Sequence, residues 1–156
     1  MTTFVLIWDG SDTGYPPANH QADIAATAAG ETVRGRWSSG SRRSGTAPGD
    51  RVFLLRQKTD RGIVASGHLT DGVIEAGPHW TGDQRRATYY LEVGWDRVLP
   101  VADRLTFSEL LHGVPGHDWH HIFASGQRVK PPADTALERL WKLHLRDLGV
   151  SASGRR

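Results

Sequence analysis

The sequence predicts an α+β fold, a small mixed sheet or barrel with helices packed around it. Three observations lead there. Short apolar or alternating runs recur between turn residues at positions 4–8, 51–56, 62–69 and 88–95. One strongly amphipathic segment spans residues 134–148, with Leu137, Leu140, Trp141, His144, Leu145 and Leu148 at helical spacing. The chain has 156 residues, 38% hydrophobic and 23% charged, which is the size and composition of one globular unit.

Taken in order, Phe4-Val5-Leu6-Ile7-Trp8 is a short apolar run, consistent with a buried strand. Residues 19–29 are Ala-rich and stop before Gly30, which predicts a helix with a C-terminal glycine. Pro48-Gly49-Asp50 is turn chemistry, and residues 51–56 follow as a strand. The polar residues 57–61 read as a hairpin loop and 62–69 as the returning strand, with Gly67 marking a bulge or a close backbone approach. Residues 77–82 read as a loop. Along 88–95, Tyr89, Leu91, Val93 and Trp95 share one face, while Tyr90, Glu92 and Gly94 share the other. Residues 97–100 close a further short strand or turn. Thr106-Phe107-Ser108-Glu109 has capping-box spacing, so a short helix is expected over 109–112, before Gly113. Trp95 and Trp141 are assigned to the core. Residues 1–150 form the expected domain. Residues 151–156 are expected to be a disordered tail, or the place where a longer parent was cut.

Several function classes are excluded. No apolar run approaches the roughly 20 residues that span a bilayer, so no membrane association is expected. Residues 4–8 are too short for a signal-peptide core and follow no basic residue. The absence of cysteine removes disulfides and thiolate chemistry and is compatible with a reducing, cytoplasmic location. There is no GxSxG, no phosphate-binding Gly-Lys-Ser/Thr loop and no HNH-type cluster. No catalytic residue, cofactor or metal is therefore expected. The rival reading rests on His117-Asp118-Trp119-His120-His121. On a helix, His117 and His121 would present two imidazoles to a zinc ion, as in a small metal-dependent hydrolase. Gly113, Pro115 and Gly116 argue for a loop instead, and the glutamate of an HExxH motif is missing.

The net charge of +2 conceals a polarised chain. Residues 1–30 carry Asp9, Asp12 and Asp23 and no Lys or Arg. Residues 31–62 carry Arg34, Arg36, Arg42, Arg43, Arg51, Arg56, Lys58 and Arg61 against Glu31, Asp50 and Asp60. Clustered arginine is the footprint of a polyanion partner, with a solvated surface as the competing account. Within the cluster lies Arg36-Trp37-Ser38-Ser39-Gly40-Ser41-Arg42-Arg43. A flat indole, planar guanidinium forks and small hydroxyl-bearing residues suit a loop that stacks on a base and grips its backbone. The competing account is a core Trp beside a basic loop.

The ordered set of segments resembles an EVE domain of the PUA-like superfamily, which also includes YTH domains. The residues that carry the resemblance are Trp8-Asp9, Arg36-Trp37-Ser38-Ser39-Gly40, Pro48-Gly49-Asp50-Arg51-Val52-Phe53-Leu54-Leu55-Arg56, Gly62-Ile63-Val64-Ala65-Ser66-Gly67, Val93-Gly94-Trp95-Asp96, Ser125-Gly126 and the terminal Leu-Trp helix. Trp37-Ser38-Ser39 is similar to the Trp-Ser-Thr signature of YTH domains, with Ser39 standing where that signature has Thr. The resemblance implies a PUA-like fold and a reader module like those preceding HNH nuclease domains in restriction endonucleases, not an enzyme by itself. Its implied partner is double-stranded DNA carrying 5-methylcytosine or 5-hydroxymethylcytosine, flipped into an aromatic cage. A nuclease domain in the same parent chain would then cut. Trp37 is the first expected wall, with Trp8 and Trp80 as further candidates. Asp9, Ser38 and Ser39 would meet the base edge. Arg34, Arg36, Arg42, Arg43, Ser125 and Gly126 would meet the backbone. The alternatives are that Trp8 is core, that Trp80 covers an apolar patch, and that Asp9 caps a turn. An RNA module reading a methylated base, as YTH domains do, is the other nucleic-acid reading.

Overall fold

Alternation along the first and third strands places apolar side chains on both sheet faces, and the fold supplies a core for each. The computed structural model describes residues 1–83, 85–122 and 124–150. The expected tail at 151–156 lies outside the described residues. The elements are β1 (Thr3–Trp8), α1 (Pro17–Ala28), β2 (Val33–Gly40), β3 (Arg51–Arg56), β4 (Gly62–Pro78), β5 (Ala87–Val98), β6 (Leu105–Thr106), α2 (Phe107–Gly113), β7 (Gln127–Val129) and α3 (Ala133–Asp147). This is the α+β architecture expected from the sequence. One sheet runs in the order β2-β5-β4-β3-β1-β7, with β6 beside β4. Among the described residues only β1 and β3 pair in parallel, and α1 and β2 lie in the crossover between them.

Phe4, Leu6, Trp8, Val52 and Leu54 project into an inner core with Val64, Leu91, Val93 and Trp95. Val5, Phe53, Leu55 and Ile63 project outward, where Leu110 of α2 and Leu137, Trp141 and Leu145 of α3 cover them. Two-sided burial explains why β1 and β3 read as unbroken apolar runs. Helix α2 begins with the expected capping box, since Thr106 and Glu109 bond reciprocally.

Two segments differ from expectation. Residues 33–40 form strand β2 along β5, so Trp37 stands on a strand and not in a loop. Strand β4 continues past Leu69 to Pro78, although residues 70–73 carry turn chemistry. Asp71 Oδ1 accepts the Val73 N–H at 2.9 Å, and Gly72 takes φ +72° with its Cα facing the Ala47 backbone. The ladder then resumes at Ile74 opposite Leu91. The turn signal marks a bulge inside one long strand.

A buried charge cluster ties the layers together. Arg51 donates to Glu138 Oε1 at 2.9 Å and Oε2 at 3.0 Å, and to Asp96 Oδ2 at 2.8 Å. Ser66 donates to Asp96 Oδ1 at 2.6 Å, and Trp141 Nε1 donates to Ser66 Oγ at 3.0 Å. Burial disfavours the Arg51 charge, but the two carboxylates outweigh it and its pKa is raised. Arg51 thus belongs to the scaffold and not to a polyanion surface. Arg51→Ala is expected to lower the unfolding free energy by about 3 kcal/mol, because the carboxylates lose their partner. Breaking a buried pair costs roughly 3–5 kcal/mol, and the lower end applies because Asp96 and Glu138 keep 21% and 26% side-chain exposure. A urea titration measures this, and an unchanged midpoint would remove the cluster from the scaffold.

Candidate functional site

Strands β1 and β2 are far apart in the sheet order, yet their C-terminal ends meet. Trp37 Nε1 donates to the Ile7 carbonyl at 2.8 Å. The Ile7 N–H donates to Ser125 Oγ at 3.0 Å, and that hydroxyl donates to the Ser38 carbonyl at 2.6 Å. The Gly126 N–H donates to the Val5 carbonyl at 2.9 Å. The seam of the curled sheet is therefore closed by side chains and one short segment instead of a strand ladder. Gly40, at φ +65°, lies where a Cβ would come within 2.6 Å of the Ser125 carbonyl, so the closure requires glycine there.

A cavity of about 290 Å³ opens in this seam. Trp37, Trp80, Asp9, Ser38, Arg36 and Ser125 line it, together with Ile7, Gly14, Gly40, Tyr90 and Ala124. The structure thus brings together four of the six residues expected for a base pocket. Trp37 is held edge-on by Tyr15 and Trp95, with ring centroids 5.3 and 6.2 Å away. Trp80 stands at the rim, 42% exposed, stacked 3.7 Å from the buried His79 ring. Asp9 Oδ1 accepts the Ser11 N–H at 2.9 Å. Burial pushes its carboxyl up, but the bonds from Ser11 and the charge of Lys58 outweigh this and hold it below the usual carboxylate range.

The other two residues lie elsewhere. Trp8 is buried, donates its indole N–H to the Ser11 carbonyl at 2.8 Å and packs edge-on against Tyr15 at 5.5 Å. It stands behind Trp37's neighbour and does not line the cavity. Ser39 is fully buried and donates to the Arg42 carbonyl at 2.9 Å, which shapes the turn after β2. Tyr90 was not anticipated. It lies opposite Ser38 in the β2–β5 register, and its hydroxyl donates to the Pro78 carbonyl at 2.6 Å. The strand alternation placed Tyr90 on the polar face, and that face borders the cavity.

The arginines divide. Arg42 donates from Nε to the Gly126 carbonyl at 2.6 Å and from Nη1 to the Ser44 carbonyl at 3.2 Å. Arg43 lies over the Tyr89 ring at 4.6 Å. Both line an open groove of about 480 Å³ with Ser41, Ser44, His121 and Gly126, and the groove shares Ala124 and Ser125 with the cavity. Arg36 lines the cavity itself, 4.2 Å above the Tyr90 ring. Arg34 borders neither and faces Glu92 at 3.6 Å.

Residues 119–121 form a single 3-10 turn, so His117 and His121 do not share an α-helical face. His121 Nδ1 lies 2.6 Å from Asp118 Oδ2, His120 packs against Phe107, and His117 packs against Trp119. Among the described residues, no group of three or more His, Cys, Asp or Glu is placed to hold a metal ion. Nor is any helix among them long and apolar enough to cross a membrane.

No protein-family model and no curated protein matches the sequence. Among solved structures, the chain is similar to an ASCH protein from Zymomonas mobilis, with TM-score 0.51, 8% identity, and 88% of this chain and 94% of that chain covered. It is also similar to a tyrosine-to-phenylalanine mutant of that protein, with TM-score 0.53, 9% identity, and coverage of 90% and 99%. At such identity the likeness is one of fold. The fold is PUA-like, of the kind seen in ASCH domains.

Two outcomes are expected from the site geometry. Ser125→Ala leaves the Ile7 N–H and the Ser38 carbonyl without their partner and should lower stability by about 1–3 kcal/mol in a urea titration. Burial lowers the pKa of His20 and of His117, so each resists protonation in the folded chain more than in the unfolded one. Their contribution is fully present above about pH 6.5 and is lost as pH falls through the lowered folded values. Urea midpoints should decline on acidification below that pH, and His117→Gln should flatten the decline.

Proposed function

We propose that the protein is a nucleic-acid-binding module that takes one modified cytosine of duplex DNA into the seam cavity while the adjoining groove holds its backbone. One observation carries this reading: a single cavity gathers Trp37, Trp80, Tyr90 and Asp9, and opens through Ser125 onto a groove bearing Arg42 and Arg43. Its volume of about 290 Å³ stands at the small end of ligand sites, which run roughly 300–1,000 Å³, and suits one base. Extruding that base costs a few kcal/mol. Stacking returns about 1–3 kcal/mol per base. The Asp9 carboxylate, held ionised, accepts from an exocyclic amino group, which cytosine has and thymine lacks. Ile7 and Ala124 offer apolar surface for a substituent at C5. The resemblance to EVE modules supplies the DNA and the modified cytosine. In this reading the chain binds, and cleavage falls to a separate nuclease domain.

The test is a set of otherwise identical duplexes carrying cytosine, 5-methylcytosine, 5-hydroxymethylcytosine or N6-methyladenine at one position, titrated by fluorescence anisotropy beside the matching single-stranded RNA. The tightest binding should go to a duplex with modified cytosine. Trp80→Ala should weaken it by about 1–3 kcal/mol without moving the urea midpoint, because Trp80 stands at the rim. Trp37→Ala is the less clean variant, since it also removes the bond to Ile7. Tighter binding to RNA would transfer the reading to RNA, and equal binding to every base would sink it.

A further inference from the structure

We infer that Arg36 reads the edge of the captured base and does not hold a phosphate. With Asp9 it selects an edge that places an amino donor beside ring acceptors, as in cytosine, against the reversed edge of thymine or uracil. The inference rests on the reading that the cavity takes a base.

The arginines near the site differ in what already engages them. Arg42 spends donors on the Gly126 and Ser44 carbonyls and lines the outer groove. Arg34 faces Glu92. The Arg36 side chain makes no hydrogen bond or ion pair with another described residue, and it lines the cavity. Its guanidinium lies 4.2 Å from the Tyr90 ring centroid. A guanidinium stacked on a ring keeps its in-plane N–H donors for a ligand.

Both neighbours of that guanidinium are fixed. Tyr90 is anchored by its bond to the Pro78 carbonyl at 2.6 Å. Gly77 leaves the space: a Cβ there would approach Arg36 Nη2 to 3.1 Å. Arg36 is therefore a positioned donor. Asp9, with Oδ1 already engaged by the Ser11 N–H, is a positioned acceptor in the same cavity. Cytosine presents an amino donor, then the ring nitrogen and carbonyl acceptors. Thymine and uracil present a carbonyl where cytosine has the amino group, so that oxygen would face the Asp9 carboxylate. Once a base covers them, polar groups set for one donor–acceptor order disfavour the reversed order, since they would be left unpaired.

The experiment uses two duplexes with 5-methylcytosine or thymine opposite an abasic position. These bases share a ring and a methyl group, and neither loses a pairing partner. Wild-type protein should favour 5-methylcytosine about tenfold or more. Arg36→Gln, and Arg36→Lys, which keeps the charge, should bring that ratio toward one. The Lys variant should also leave the slope of log K against log salt unchanged. Asp9→Asn should lower the same ratio. Arg42→Ala is the control: it should keep the ratio and reduce the slope by about one. The inference is overturned if Arg36→Gln weakens both duplexes equally and reduces the slope by about one, which is phosphate behaviour. It is also overturned, with the module reading intact, if the wild type prefers modified to plain cytosine but does not distinguish 5-methylcytosine from thymine. If the wild type binds no nucleic acid, the module reading fails and the inference fails with it.

Discussion

The site depends on how two sheet edges are satisfied. Strand β2 ends the sheet on one side, and β1 is covered on its outer side only over Thr3–Val5, where β7 pairs with it. Beyond Val5 the backbone of β1 faces an open edge, which proteins do not leave bare. Ile7 resolves this through side chains: its N–H goes to Ser125 and its carbonyl to Trp37. Because no strand among the described residues fills the seam, a cavity remains between the two edges. An edge strand offers both faces and its free margin, which is why Arg36, Trp37, Ser38 and Gly40 of β2 can all line one space. The closure of the fold and the existence of the site are the same arrangement.

That coupling gives Trp37 two duties. Its indole N–H holds the seam, and its ring lines the cavity. Behind it stand Tyr15 and Trp95, and behind Tyr15 stands Trp8. Tyr15 is fixed in turn, since its hydroxyl donates to Asp23 at 2.6 Å. Burial and that carboxylate raise the Tyr15 pKa well above its ordinary value, so it stays a neutral donor. A wall buttressed in this way meets a ligand without reorganising. Trp80 differs: it contributes its face from the rim and carries none of the closure, so stacking and stability are separable there and inseparable at Trp37.

The layered fold was legible in the sequence because periodicity reports burial. The two-sided runs of β1 and β3 and the stripe of α3 each reflect a core face. The capping box at Thr106 and the loop at 57–61 were legible through local chemistry. What misled was composition read as conformation. Gly35, Ser38, Ser39 and Gly40 suggested a loop, but glycine and serine also serve a strand that another backbone approaches closely, as the Ser125–Gly126 segment approaches β2. The returning strand was read as stopping at Leu69; it continues to Pro78 through a bulge at Asp71-Gly72, where the Ala47 backbone faces Gly72. Tyr90 escaped notice because alternation tells which face a residue takes, not what covers that face. Ser125 was marked for the backbone, and its two hydrogen bonds across the seam depend on contacts more than 80 residues distant.

The basic run at 31–62 shows most clearly what linear order omits. As a sequence it is one patch. In the fold, Arg51 is buried between Asp96 and Glu138, Arg56 covers the Trp8 ring while bonding the Thr59 carbonyl, and Arg61 covers Phe107. Each uses its charge or its plane to finish the scaffold, as arginine can because its stem and face are apolar. Only Arg36, Arg42 and Arg43 stand at the cavity and its groove. A polyanion drawn to this surface would therefore meet a local fork beside a pocket and not a broad basic face. Long-range attraction scales with summed charge, and the chain carries only +2. Selectivity at such a site has to come from the pocket, where donors and acceptors act at contact distance and salt screens them least.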